Sequence, residues 1–185
     1  MINQVLTKIY QYMESITKNI KPNILIQKRD KLTEEIARYW KIIATENVLK
    51  KGQTRNYDLK NVLNQIKADY DQLVIIKLRI QCANMGIKFK DLKKDSNIIN
   101  IYKLSALNEY AVKLSEMAKF HTIKPAVKAK YGKKKLNVTE EITYNYFNTK
   151  KNECSLPLNE LRKKITEFND NTEIDSKDMP TFLVA

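Results

Sequence analysis

Helix breakers, histidine and cysteine are all scarce in this chain, and each scarcity excludes something. Three glycines and four prolines in 185 residues leave little to interrupt a helix, so long helices are the economical expectation. One histidine, His121, excludes two-histidine metal motifs of the His-Glu-x-x-His kind and the paired Glu-x-x-His sets of di-iron bundles. Two cysteines, Cys82 and Cys154, cannot make a zinc ribbon. Both fall in helical patterns, and two buried reduced thiols are expected, with one disulfide as the alternative. Gly52, Gly86 and Gly132 are isolated, so there is no Gly-rich phosphate loop and no Gly-x-Ser-x-Gly elbow. The longest aliphatic run, Leu73 to Ile76, is far below the roughly 20 residues that span a bilayer. Thr7, Lys8, Gln11 and Glu14 interrupt the N-terminal apolar pattern, so no signal peptide is expected. The expectation is a protein without a transmembrane segment, in the cytoplasm of its cell or host.

What is present is helical periodicity. Over residues 58–84, Leu59, Leu63, Ile66, Tyr70, Leu73, Ile76, Ile80 and Ala83 recur at alternating spacings of four and three, which keeps them on one side of a helix. Val74, Ile75 and Leu78 widen that stripe, so this helix is expected at the centre with neighbours on more than one side. An amphipathic helix is expected over 1–19, with Val5, Ile9, Tyr12 (or Met13) and Ile16 on its stripe and Lys21-Pro22-Asn23 closing it. A second helix over about 24–51 carries Leu25, Leu32, Ile36, Tyr39, Trp40 and Ile43, with Gly52 at its end, and should pair with the central helix as an antiparallel hairpin. Residues 87–90 alternate and read as a brief extended piece. A fourth helix over about 98–119 turns Ile101, Leu104, Leu107, Ala111, Leu114 and Ala118 inward. Asn137-Val138-Thr139-Glu140 has the form of a capping box, which starts a fifth helix that Pro157 kinks or restarts and that runs to about residue 169. The fold class is all-α: an antiparallel bundle of about five helices built from long coiled-coil-like hairpins, with a short extended basic segment. Its domain plan is an N-terminal helix (1–23), a bundle (24–169, with a basic connection at 120–136) and a flexible tail (170–185).

Charge offers the one functional candidate. The net charge is 34 − 21 = +13, and between Glu116 and Glu140 there is no acidic residue. Lys119, Lys124, Lys128, Lys130, Lys133, Lys134 and Lys135 fall there with Tyr131, and could bind nucleic-acid phosphates through a salt-sensitive contact of low sequence specificity. The absence of arginine in this stretch weakens base reading. Attraction to anionic membrane, with Phe120 and Ile123 as anchors, is a further alternative. The plain alternative is a solvated loop made basic by codon bias, because Lys, Asn, Ile and Tyr are abundant together. Trp40 with Tyr39, and Tyr144 with Tyr146 and Phe147, read as core aromatics before they read as a ligand pocket. Phe182, Leu183 and Val184 could dock on a partner. No catalytic, metal or cofactor residue is indicated. The expected function is therefore a non-enzymatic structural or interaction protein, a homo-oligomer or a subunit of an assembly, with nucleic-acid binding as the alternative.

Two places resemble a family. Lys28-Arg29-Asp30-Lys31-Leu32 through Ile36, then Ala44 to Asn47 and Lys51-Gly52, are similar to the first hairpin of septicolysin-like proteins, small helical bacterial proteins of unestablished function. Ala83-Asn84 stands where that family's second turn falls, and Leu161 to Ile174 resembles its closing Asn-x-x-Thr-Glu helix. The likeness spans about residues 24–174. This chain departs from the pattern in its N-terminal helix, its basicity, Pro157 and its tail. The resemblance implies a helical hairpin bundle and carries over no catalytic residue.

Overall fold

The computed structural model describes residues 20–93, 96–124 and 138–173. The helix expected over 1–19, residues 125–137 of the basic segment and the tail from 174 lie outside them.

The described chain is mostly helical, in keeping with an all-α class, with one two-stranded antiparallel ribbon. Helix α1 spans Pro22–Glu46, with Lys21 at its cap and Pro22 in its first turn. Proline suits that position, because its missing N–H would have had no helical partner. Pro22 therefore opens this helix. Helix α1 stops at Glu46, short of the expected 51, because residues 48–50 are used otherwise: β1 (Val48–Lys50) pairs with β2 (Val138–Glu140). The capping box expected at 137–140 is thus overturned, and β2 takes its place.

Helix α2 (Leu59–Asn84) starts at Asp58, whose carboxylate accepts from the Asn61 amide at 3.0 Å. It ends in a Schellman turn: Ile87 N donates to Cys82 O and Gly86 N to Ala83 O, with Gly86 at φ +68°. Only glycine takes that conformation cheaply. Residues 89–91 form a 3-10 turn (Phe89–Asp91), where an extended piece was expected. Helix α3 covers Asn97–Phe120. The expected fifth helix begins at Tyr144, capped by the Thr143 hydroxyl, and is broken at Cys154 into α4 (Tyr144–Glu153) and α5 (Ser155–Asn171). Pro157 lies in the first turn of α5, so it restarts the helix as its chemistry allows.

Helix α1 packs on α2, α2 on α3, and α3 on α4 and α5. Residues 58–84 are covered from two sides as their wide stripe implied, yet the helix that touches every other is α3. Burial on α3 falls on Ile99, Ala106, Tyr110, Ala111, Leu114, Met117 and Ala118, while Ile101, expected inward, is 48% exposed. Trp40, Tyr70 and Tyr110 meet at the centre, with ring centroids 5.9 and 5.8 Å apart. With Phe147 fully enclosed, these aromatics are core.

Asn47 ties the elements together. It has no exposed surface. Its Nδ2 donates to the carbonyls of His121 and Ile142, both at 2.8 Å, and its Oδ1 accepts from Ile142 N at 2.7 Å. Removing it strands buried backbone groups, and each such group costs about 1–3 kcal/mol. Asn47→Ala is expected to lower stability by about 3 kcal/mol in urea denaturation. Replacing the exposed Asn145 by alanine should move it by less than about 0.5 kcal/mol.

Candidate functional site

The basic segment departs from the end of the bundle that Asn47 locks. A second polar layer surrounds that amide. Arg55 Nε donates to Glu46 O at 2.9 Å, and its Nη2 donates to Asn47 O at 2.8 Å and Thr139 O at 3.0 Å. Glu141 faces Arg55 with Oε2 at 3.3 Å and accepts from Leu59 N with Oε1 at 2.8 Å. A carboxylate at the first turn of α2 also meets the positive end of that helix's dipole.

Two neighbouring acids are also engaged. Glu46 Oε2 accepts from Asn56 N at 2.9 Å, and Glu140 Oε1 accepts from Ile123 N at 2.6 Å. The acidic groups of this end are thus held by internal hydrogen bonds, while Lys50, Lys51, Lys119 and Lys124 are exposed. Solvent around this end therefore meets mainly positive charge.

Of the candidate nucleic-acid residues, Lys119 and Lys124 are described. They flank the end of α3, in the same cluster as β1 and its lysines, because Asn47 bonds the His121 carbonyl. Lys119 Nζ stands 4.9 Å from the Phe120 ring centroid, and Phe120 is 65% exposed. Ile123, its suggested partner as a membrane anchor, is half-buried. Lys128, Lys130, Tyr131, Lys133, Lys134 and Lys135 lie outside the described residues, as do Phe182, Leu183 and Val184.

Sequence reasoning missed Asn47, Arg55 and Glu141. The available signal was faint: the triplets Val48-Leu49-Lys50 and Val138-Thr139-Glu140 each begin with a β-branched residue, at a length too short for a strand pattern to declare itself.

The thiols offer no nucleophile. Cys82 and Cys154 are free and buried, and burial pushes both above the ordinary thiol range, opposite to what a reactive thiolate needs. Cys154 Sγ donates to Lys150 O at 3.4 Å. Among the described residues no group of three or more His, Cys, Asp or Glu could hold a metal ion, and no helix is long and apolar enough to cross a membrane.

One buried acid stands away from this end. Asp69 is 3% exposed; Gln65 Nε2 donates to its Oδ1 at 2.7 Å, and its Oδ2 has no hydrogen-bond partner. Burial raises its pKa, the Gln65 hydrogen bond works against that rise, and the nearby Glu35 carboxylate adds to it. The folded state therefore holds this proton more tightly than the unfolded chain. Stability falls as pH rises from the ordinary carboxylate value, about 4, through the folded one. Asp69→Asn is expected to raise the urea midpoint at pH 7, and its advantage over the wild type should shrink as the pH is lowered toward about 4.

No protein-family model, no curated protein and no solved structure matches the chain.

Proposed function

We propose that this is a non-enzymatic helical interaction protein of the cytoplasm of its cell or host, self-associating or serving as a subunit of a larger assembly, and needing no cofactor. The supporting observation is the outer face of α3 and α5. Tyr110 interacts electrostatically with Cys154, and Lys103 with Lys164. In that antiparallel register Val112 stands level with Leu156, and Ile101 with Phe168. All four are large, apolar and exposed, at 48%, 69%, 48% and 47%. Along α5 the cover fades from Leu158, 8% exposed, to Phe168, 47% exposed, so the far end of its apolar stripe faces solvent. Solvent-facing apolar residues on adjoining helices suit a partner helix better than water.

In this reading the antiparallel hairpins are coiled-coil-like, and the amphipathic pattern of residues 1–19 adds a further helix to the bundle. The resemblance to septicolysin-like proteins belongs to the same proposal and adds no activity.

Light scattering tests it. The wild type should run as a dimer or larger, and Ile101→Asp with Phe168→Asp should run as a monomer of unchanged helix content. A wild type that is strictly monomeric and captures no partner in pull-downs overturns the proposal.

The engaged acids of the Asn47 end favour a second reading, nucleic-acid binding through the lysine-rich segment. Exposed lysines without competing carboxylates attract phosphate electrostatically and release counterions on binding. Affinity for single or double strands should then fall steeply with salt. Replacing Lys130, Lys133, Lys134 and Lys135 by glutamine should weaken it and flatten the salt slope. Unchanged affinity in that variant refutes this reading, and flotation of the wild type with anionic vesicles alone assigns the charge to a membrane surface instead.

A further inference from the structure

The end of the bundle opposite Asn47 is built differently. Glu35 faces Asp69, and Trp40 lies beside Tyr70. That antiparallel register sets Leu25, near the start of α1, level with Cys82, near the end of α2. Both are buried, at 6% and 3%, yet neither joins the continuous core that runs from Ile36 to Leu158. Around this pair Ile24, Ile26, Met85 and Ile87 stand 41%, 39%, 50% and 37% exposed. A small buried pair separate from the core and ringed by exposed apolar side chains is half of a packed layer. Its other half must come from elsewhere.

We infer that residues 1–19 of the same chain supply it, laying Val5, Ile9, Tyr12 and Ile16 over Ile24, Ile26, Met85 and Ile87 and so shielding Cys82. Three observations support that occupant. The segment enters α1 at the patch itself, since Pro22 is the first residue of that helix and Ile24 and Leu25 follow at once. Its apolar residues recur at spacings of four, three and four, the period that puts them on one side of a helix. Its length suffices, because 19 residues at about 1.5 Å rise reach about 28 Å, more than the few turns that carry the exposed residues. The tail of the chain follows α5, which runs toward the same end, but its apolar residues are Ile174, Met179 and the cluster 182–185, with Pro180 between them. They lack the period that fits a helix pair. This inference is independent of the self-association proposed above, since the contact lies within one chain.

Cys82 reports on the cover. In the full-length protein carrying Cys154→Ser, Cys82 is the only thiol, and its reaction with a maleimide should be slow and independent of protein concentration. Ile9→Asp with Ile16→Asp should speed that reaction at least tenfold, while Lys18→Asp, on the polar side of that period, should leave it unchanged. Ile9→Cys and Ile16→Cys, made singly in the same background, should give an intramolecular disulfide with Cys82 in at least one case, and Glu14→Cys should not. The disulfide arm decides the matter if the aspartate variant unfolds. The inference is overturned by labelling that the aspartates leave unchanged, by no disulfide at either position, or by a labelling rate that falls as protein concentration rises, which assigns the cover to a second copy. Acceleration by Phe182→Asp with Leu183→Asp alone assigns it to the tail and overturns it equally.

Discussion

A single buried amide sets the limits of three helices. Asn47 reaches 74 residues along the chain to His121 and 95 to Ile142, so one side chain closes two contacts between distant parts of the chain at this end of the bundle. An amide has one strong acceptor and two donors, and here each is used against backbone that has no other helical partner. Helix α3 ends where its His121 carbonyl is taken, and α4 starts just beyond Ile142. Helix α1 ends where its next residue must face inward. In a low-dielectric site the amide holds these positions more firmly than an apolar residue would, because every alternative leaves a buried polar group unpaired. Arg55 and Glu141 add a half-buried ion pair over it, 19% and 25% exposed at their side chains. Such a pair sets geometry more than it adds stability, because desolvation offsets much of its attraction.

The sequence announced helices through their apolar period and said little about how they meet. Residues 58–84 were legible as a helix because α2 buries one broad side against α1 and α3, although in its second half the burial falls on Val74, Leu78 and Cys82, while the expected Ile76 and Ile80 are half-buried and Ala83 is exposed. Helix α3 was harder to read for the opposite reason. It touches α1, α2, α4 and α5, so its buried positions form a broad arc, and small residues such as Ala106, Ala111 and Ala118 are buried beside large ones. A stripe drawn through Ile101 therefore missed Ile99 and Tyr110. The ribbon was not legible at all. Three residues per strand cannot show alternation, and Asn137 to Glu140 spells a helix start that pairing with β1 overrides. Local propensity lost there to a contact made across some 90 positions of sequence.

The charge of the surface cannot be read from composition either. A sum of +13 treats every acid as available to solvent, yet Glu46, Glu140 and Glu141 are occupied by backbone amides or by Arg55. Elsewhere the opposite holds. Lys67 with Asp71, Lys113 with Glu116, and Lys150 with Glu153 pair along their own helices at 2.7 to 2.9 Å. Exposed pairs of that kind contribute only about 0.3–0.5 kcal/mol each, but they cancel charge locally. The excess positive potential thus gathers where acids are turned inward, and that location follows from the hydrogen bonds of the fold.

The same locked end explains how a bundle can carry a variable connection at little cost to stability. Lys124 and Val138 are both held, one behind Ile123 N on Glu140 at 2.6 Å and the other opposite Lys50 in the ribbon. The loop-closure cost of what lies between depends only logarithmically on its length; doubling a connection costs about 0.6 kcal/mol. The glutamate and the ribbon fix the distance to be spanned whatever residues span it. Chemistry placed in that connection can change while the core stays as it is. At the far end no such freedom exists, because Leu25 and Cys82 are buried outside the core, and whatever covers them must match their shape. One end of the molecule constrains backbone and leaves side chains free, and the other constrains side chains. A lysine-rich connection is tolerated at the first of these, and a periodic apolar segment is demanded by the second.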